Sequence, residues 1–378
     1  MAFPDASAES ARELGVPEAQ GRVIVAMSGG VDSSLAAALL AEEGLEVVGV
    51  TLHLAGDSSR CCSLDDADDA RRVAEGLGIR FYVANYTESF RREVIDVFAD
   101  EYLAGRTPIP CVACNKRFKF DYLMERAEIF GAAGVATGHY ARILKDPVSG
   151  QFELRRPRDR QKDQTYFLFQ LDQDQLSKTF FPLGELTKEE VRERARRLGL
   201  ATADKPESQE ICFVPGGDYA DVVEAIRPEA GNRGGEIVDE HGTVVGQHRG
   251  VHRFTVGQRH GLGISSDRRL YVTRLDAAAR RVIVGPASQL AVAGAEVSEV
   301  SWVAGACPSG PLRARVQVRH RHPGAEATLY PLPENTVRVE FDSPVSAVSP
   351  GQAAVFYDSA TRDDDRGERV LGGGWIRG

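Results

Sequence analysis

The sequence predicts an α/β N-terminal domain built on a parallel sheet, followed by a small central β-rich region and a C-terminal all-β region. Three observations carry this. Up to about Cys212, short β-branched runs alternate with helical stretches, the pattern of strands joined by crossover helices. Beyond Cys212, helical periodicity largely gives way to short alternating strands with Gly turns. A Gly-Gly turn joins the first strand-like run to the first helix-like one, at the strand end where parallel sheets bind ligands.

Taken in order, Arg22-Val23-Ile24-Val25-Ala26-Met27 is short, apolar and β-branched and reads as a buried strand. The stretch from Leu35 to Gly44 is rich in helix formers and closes on a Gly suited to a helix end. Leu45-Glu46-Val47-Val48-Gly49-Val50-Thr51-Leu52 reads as a second buried strand. After Cys61-Cys62-Ser63, a helix is expected over 64–78, with Ala67, Ala70, Val73, Ala74 and Leu77 on one face and acids in its first turns. Arg80-Phe81-Tyr82-Val83-Ala84 is the third strand, and a long helix runs from Thr87 to about Leu103. A Gly/Pro loop over 104–110 leads into a helix opened by 111–120. Residues 134–140 form a strand with its turn, 142–156 a hairpin around Pro147 and Gly150, and Thr187-Lys188-Glu189-Glu190 a capping box for a helix to about Leu198. Near the C-terminus, 312–319 and 336–341 alternate as half-buried strands, which fits a small barrel or sandwich. The expected division is an extension over 1–21, an α/β domain over 22–215, a central domain over 216–289 and a C-terminal domain over 290–378.

A chain of 378 residues is long for one core, and 42% hydrophobic with 27% charged residues is ordinary globular composition. The net charge of −9 argues against a surface that is basic all over. It leaves room for local patches suited to phosphates: Arg155, Arg156, Arg158, Arg160 and Lys162, and Arg315, Arg319 and Arg321 alternating on one strand. The first residues lack the apolar core of a secretory signal, their acids argue against a transit peptide, and no run approaches membrane-spanning length. A cytoplasmic protein with no membrane partner is expected. Six cysteines in such a chain are not a disulfide framework but candidates for metal or sulfur chemistry.

The chemistry begins at Ser28-Gly29-Gly30-Val31-Asp32-Ser33-Ser34. A strand, a Gly-Gly turn with small hydroxyl residues and then a helix aims backbone N–H groups at an anion. The string lacks the lysine of a Walker loop, and Asp32 stands where it could hold Mg²⁺. Cys114 follows the Pro-rich loop and is expected to start a helix beside Lys116 and Arg117, a setting that favours the thiolate. Cys212 lies in Ser208-Gln209-Glu210-Ile211-Cys212-Phe213. Composition alone would make these two semi-buried structural cysteines. The lone Cys111-Val112-Ala113-Cys114 pair falls short of a zinc site, although Cys111, Cys114 and Cys212 could together offer three thiolates to an iron–sulfur cluster.

The Ser28–Ser34 string resembles the SGGxDS loop of the ATP pyrophosphatases, which hold the departing pyrophosphate of ATP. Further strings recur in order along the chain: Cys61-Cys62-Ser63, Cys114-Asn115-Lys116, Thr137-Gly138-His139-Tyr140-Ala141-Arg142 and Lys162-Asp163-Gln164-Thr165-Tyr166-Phe167-Leu168. They continue with Ser208-Gln209-Glu210-Ile211-Cys212-Phe213, Thr255-Val256-Gly257-Gln258-Arg259 and Pro350-Gly351-Gln352-Ala353-Ala354-Val355-Phe356-Tyr357. Together these resemble the bacterial tRNA-specific 2-thiouridylases. The resemblance implies a Rossmann-like, adenine nucleotide α-hydrolase (PP-loop) domain, a central β-rich domain and a C-terminal β-barrel. It implies ATP and Mg²⁺ as reactants, with Ala26, Met27, Ser28, Gly29, Gly30, Val31, Asp32, Ser33, Leu52 and Gly138 around the nucleotide. The implied activity is adenylation of the C2 oxygen of the wobble uridine in tRNAs for Lys, Glu and Gln. A persulfide on Cys212 then supplies sulfur, with Cys114 as the partner nucleophile and Asp32 assisting pyrophosphate departure. The implied partners are the tRNA anticodon arm and a cysteine desulfurase or sulfur-relay carrier. Ile109, Pro110 and Cys111 would lie against the flipped base. Lys162, Asp163, Gln164, Arg319, His320, His139 and Gln352 would contact tRNA. Ile109 stands where Asn is frequent in the family, Leu52 where Met is, and His320 where Tyr is. Two other functions share some of these features: a PP-loop synthetase acting on a small molecule, which needs neither Cys212 nor the β-rich C-terminal half, and a non-enzymatic sulfur carrier or RNA adaptor, against which the intact loop counts.

Overall fold

The structure is a computed structural model, and it describes residues 21–55, 64–207, 211–214, 218–362 and 364–378. The expected N-terminal extension up to residue 20, Cys61-Cys62-Ser63, Ser208-Gln209-Glu210 and Asp363 lie outside the described residues.

Five strands, β1 (Arg22–Ala26), β2 (Glu46–His53), β3 (Arg80–Asn85), β4 (Gly134–Thr137) and β7 (Thr179–Phe180), form one sheet in the order β3-β2-β1-β4-β7. Every pairing in it is parallel. The two inner neighbours of the switch, β1 and β4, are almost wholly buried because helices cover both faces of the sheet. The third strand is an edge, and Tyr82 and Val83 are therefore largely exposed. The helices are α1 (Val31–Glu42), α2 (Leu64–Leu77), α3 (87–103) and α4 (110–129), then α5 (Gln173–Ser177), α6 (Lys188–Arg197) and α7 (Tyr219–Ile226). Helix α1 is Ala-rich and buried on nearly every side, since it is wedged between the sheet and α6. Helix α3 passes through a π-helical turn over Arg91–Ile95, and α4 through one over Cys114–Tyr122. The expected hairpin is present as β5 (Arg142–Lys145) paired with β6 (Phe152–Arg155), and α6 carries the expected capping box from Thr187 to Glu190.

Helix α7 contradicts the expectation of loops and strands after Cys212. Asp218 caps it, and its apolar side docks on α3, where Tyr219 stacks on Tyr102 at 4.3 Å. At eight residues it is too short for its period to stand out in sequence. Beyond it, β8 (Gly235–Val238), β9 (Val244–His248), β10 (Tyr271–Asp276) and β11 (Arg281–Gly285) form a sheet in the order β10-β11-β8-β9. The C-terminal strands β12 (Ala291–Trp302), β13 (Leu312–Gln317), β14 (Ala325–Leu332), β15 (Thr336–Ser346), β16 (Ala353–Tyr357) and β17 (Val370–Ile376) close into a barrel, resolving the choice between barrel and sandwich. Inward residues such as Val297, Ala314, Val316, Leu329, Val339 and Phe356 fill it. No helix among the described residues is long and apolar enough to cross a membrane.

Two cations of the basic run that looked suited to phosphates, Arg155 and Arg156, are consumed where the barrel meets the α/β domain. Arg155, only 3% exposed, donates to Glu153 and Asp364 and to the Gly367 carbonyl. Arg156 pairs with Asp163 and with Glu368, donates to Gln317, and lies 3.7 Å over the Tyr357 ring. Arg315 pairs with the same buried Glu368, and Arg158 with Glu190. Acids scattered from Glu153 to Glu368 thus neutralise cations that are contiguous in sequence. Arg156→Ala would leave Glu368 buried beside one cation fewer, and should destabilise the chain by about 3–5 kcal/mol. Urea unfolding at pH 7 measures this, with a smaller loss expected for Arg158→Ala at the exposed rim.

Candidate active site at the sheet switch point

Strand order reverses between β1 and β4, so the loops leaving these two strands diverge around one crevice. The loop after β1 is the Ser-Gly-Gly string, and the loop after β4 is Gly138-His139-Tyr140. The two touch through backbone: a Cβ on Gly138 would stand 2.6 Å from the Asp32 carbonyl carbon and the Ser33 nitrogen. Only glycine allows that approach. Gly29, at φ +69°, likewise has no room for a side chain, because a Cβ would meet the Asp66 carbonyl oxygen at 2.2 Å.

The cradle is held by its own hydroxyls. Ser33 Oγ accepts from the Ser28 backbone N–H at 3.0 Å and donates to the Gly30 carbonyl at 3.2 Å, and Ser34 Oγ donates to the same carbonyl at 2.9 Å. Met27 bridges to β2, with its N–H donating to the Val50 carbonyl and its carbonyl accepting from Thr51 Oγ1. Ala26, at the end of β1, is half-buried, while Leu52, near the end of β2, is buried. Gly30 caps α1, so the first N–H groups of the helix open onto the crevice where an anion is stabilised.

Asp32 is not isolated. Lys188 Nζ donates to both of its oxygens, at 2.7 and 2.8 Å, and Tyr140 Oη donates to Oδ1 at 2.9 Å. Lys188 also lies 2.9 Å from Glu207, whose second oxygen accepts from Lys162 at 2.6 Å. Burial opposes ionisation of Glu207, but hydrogen bonds from Lys162 and Lys188 outweigh it and hold the carboxyl down to about 2. Burial and the Asp32 carboxylate raise the Tyr140 phenol far above its ordinary range, so it stays a donor. Sequence reading missed Lys188, Tyr140 and Glu207 as site residues. Lys188 carried one local signal: a cation in the first turn of a helix works against the macrodipole and asks for a compensating partner.

Cys114 and Cys212 pack against the apolar cluster that contains Leu52 and that Ala26 also packs against. Pro110 opens α4, so exposed Cys111 is in its first turn and Cys114 in its second. The expectation that Cys114 starts the helix is therefore corrected: Pro110 supplies the start, one turn earlier. The neighbouring cations are also engaged, Lys116 by Gln175 and Asp172 and Arg117 by Asp121 and Glu93. Half-buried Cys114 and Cys212 pack against one apolar cluster, with Phe213 edge-on to Phe90 and Phe98. Among the described residues no three His, Cys, Asp or Glu side chains gather as a metal-holding group.

The residues expected to meet RNA are spread over the start of α4, the 162–164 turn and the barrel. Buried Pro110 and half-buried Ile109 begin it, and Gln352 of the barrel donates to the Thr107 carbonyl at 2.9 Å, while the Thr107 N–H donates to the Pro350 carbonyl. Asn115 ties α4 to the Phe167 carbonyl, and His320 lies 4.5 Å from the Phe167 ring. Asp163 accepts from Thr165 and Arg156, and Gln164 accepts from the Tyr140 N–H. Arg319 is exposed and donates to the Ser346 carbonyl. His139 is buried, bonded to Thr137 and Lys119; burial, with Lys119 beside it, pushes it well below its ordinary range, so it is neutral at pH 7.

This sheet order, with a serine and glycine cradle and an aspartate at the switch point, defines a nucleotide-binding α/β domain of the ATP pyrophosphatase class. Comparison with known proteins narrows the class. Residues 21–216 match the family model "tRNA methyl transferase HUP domain", 222–286 the "tRNA methyl transferase PRC-barrel domain" and 292–376 the "Aminomethyltransferase beta-barrel domain". The chain is 50% identical over 375 residues to "tRNA-specific 2-thiouridylase MnmA" of Acidobacterium capsulatum, covering 94% of this chain and 98% of the relative. It is 50% identical over 373 residues to the protein of that name from Solibacter usitatus, covering 94% and 98%. Against that of Geobacter metallireducens it is 51% identical over 370 residues, covering 95% and 97%. The chain belongs to the tRNA-specific 2-thiouridylase MnmA family.

The depressed Glu207 carboxyl gives the fold an acid-sensitive component. An unfolded Glu takes up its proton near 4.5, whereas the folded one waits until about 2. The stability it supplies is complete above pH 4.5 and is lost as pH falls through about 2. Glu207→Gln should therefore show a shallower dependence of stability on pH than wild type over the accessible part of that window, read from urea unfolding curves.

Proposed function

We propose that this chain is a tRNA 2-thiouridylase that activates the wobble uridine of tRNAs for Lys, Glu and Gln with ATP and replaces its C2 oxygen by sulfur. The observation that carries the reading is the identity near 50% to curated 2-thiouridylases over nearly the whole length of both chains. The intact cradle and the shared packing of Cys114 and Cys212 support it.

In this reading the Ser28–Ser33 backbone and the start of α1 orient the triphosphate, with Ala26, Met27 and Leu52 beside the adenosine and Gly138 clearing the approach. Asp32 is the side chain suited to Mg²⁺, which when bound would neutralise charge on the departing pyrophosphate. The uridine C2 oxygen attacks the α-phosphorus and pyrophosphate leaves. The outer sulfur of a Cys212 persulfide then forms a bond to C2, and the C2–O bond breaks to release AMP. Attack of the Cys114 thiolate on the Cys212 sulfur releases 2-thiouridine and leaves a Cys114–Cys212 disulfide. The transferred sulfur is reduced by the two thiols, and an external dithiol, or two equivalents of a monothiol, restores them and is itself oxidised to a disulfide. A cysteine desulfurase or sulfur-relay carrier loads the persulfide, and the enzyme meets its tRNA substrate in the cytoplasm. Ile109, Pro110 and Cys111 border the flipped base, while Lys162, Asp163, Gln164, Arg319, His320 and Gln352 hold the anticodon arm. Buried His139 contributes by fixing the loop between nucleotide and base.

Cys114→Ser and Cys212→Ser should each abolish wobble 2-thiouridine when supplied to a strain lacking the gene, while purified variants still bind ATP. Mass spectrometry of tRNA nucleosides and a nucleotide titration measure the two effects. Full thiolation by either variant refutes the two-cysteine scheme, and unchanged 2-thiouridine in the deletion strain refutes the function itself.

A further inference from the structure

Half-buried Lys119 is bonded to an imidazole: its Nζ lies 3.3 Å from Nε2 of His139. His139 is buried between the rings of Phe120 and Phe181, at 6.2 and 6.0 Å, and its Nδ1 lies 2.7 Å from Thr137 Oγ1. Burial keeps the ring neutral, so Nε2 accepts from the ammonium while the Nδ1 N–H donates to Thr137. A neutral ring fixes the ammonium in place without cancelling its charge.

Two elements meet at this ammonium. Thr137 and His139 flank Gly138, whose backbone presses on Asp32 and Ser33, so one side is the loop that closes the nucleotide crevice. The other side is α4, where Lys119 stands five residues after Cys114. An α-helix would turn the fifth residue away from Cys114. The stretch Cys114–Tyr122 is π-helical, and its wider turn brings Lys119 round toward the Cys114 side. Lys119 thus lies between the part of the chain that takes the nucleotide and the part that carries sulfur.

Only one group of the nucleotide takes part in both halves of the reaction, and that is the α-phosphate. In the first step the uridine oxygen bonds to the α-phosphorus, and the bond to pyrophosphate breaks with its electron pair leaving on pyrophosphate. In the second, sulfur bonds to C2 and the C2–O bond breaks with its pair leaving on AMP. The α-phosphate then passes from a singly charged diester to a doubly charged monoester, a change that a fixed cation stabilises.

We propose that Lys119 is a catalytic residue that holds the α-phosphate, first in ATP and then in the adenylated uridine. The assignment rests on the reading that the chain adenylates uridine before sulfur enters. The ammonium keeps its proton throughout. It opposes charge on the α-phosphate oxygens as they are attacked, and again as AMP leaves.

The test reads the two ends of ATP separately, by calorimetric titration of the full chain with AMP and with pyrophosphate, and then follows tRNA-dependent pyrophosphate release. Lys119→Met should weaken AMP binding and slow pyrophosphate release roughly 10- to 100-fold each, the size of a lost charge-assisted hydrogen bond, and leave pyrophosphate binding unchanged. Lys119→Arg should recover part of both losses. Should Lys119→Met fail to fold, Lys119→Gln, which keeps a donor for His139 without the charge, is expected to show the same selective loss. Wild-type AMP affinity in a folded variant, undiminished pyrophosphate release, or equal losses for AMP and pyrophosphate binding, overturns the assignment. Failure of the wild-type chain to form 2-thiouridine would count against the proposed function, whereas the AMP-to-pyrophosphate ratio reads Lys119 alone.

Discussion

The reversal of strand order between β1 and β4 is the constraint on which the rest of the molecule depends. Parallel strands need crossover helices, and at the reversal those crossovers leave on opposite sides, so two loops diverge around a crevice. The crevice becomes a site because Gly138 lets the second loop press onto the backbone of the first at Asp32 and Ser33. That contact brings Tyr140 to Asp32, and α6 brings Lys188 to the same carboxylate. Residues from three distant parts of the chain thus converge on one oxygen pair.

The barrel's contribution is positional. Its 350–352 turn bonds to Thr107, three residues before the proline that starts α4, and its Tyr357 and Glu368 hold Arg156. The loop feeding Cys111 and Cys114 is clamped from the far end of the sequence, while the central domain touches it where Leu275 packs against Gly105. A chain acting on a base within a folded RNA has reason to hold its chemical loop between domains, because the RNA must be gripped at a distance from the reacting atom. Of the cations gathered in sequence over 155–162, Arg155 and Arg156 build that clamp, whereas Arg158 and Arg160 are exposed.

Much of this was legible from local pattern. The strand, Gly-Gly turn and helix at 22–42 are specified by neighbours in sequence, and so is the capping box at Thr187. Ordered motifs carried the family. Other features depend on pairings that sequence order hides. Lys188 read as a helix-start residue because its partners Asp32 and Glu207 are brought in by the fold. Arg155 and Arg156 read as a phosphate patch because the acids that neutralise them, Asp364 and Glu368, lie some two hundred residues away. Helix α7 is short and depends on packing against Tyr102 more than on its own period. Cys114 was placed one turn too early because the proline that starts its helix also resembles a loop residue.

The reaction has two halves: a cradle that makes a carbonyl oxygen displaceable and a pair of cysteines that displace it. They are joined chemically at the C2 oxygen of uridine, whose fate reports whether activation happens as described. The most direct measurement uses tRNA labelled with ¹⁸O at the C2 position of the wobble uridine, incubated with the enzyme, ATP and a persulfide source. Each 2-thiouridine formed should be matched by one AMP carrying ¹⁸O, with none in pyrophosphate. Formation of 2-thiouridine alongside unlabelled AMP would contradict activation at the C2 oxygen.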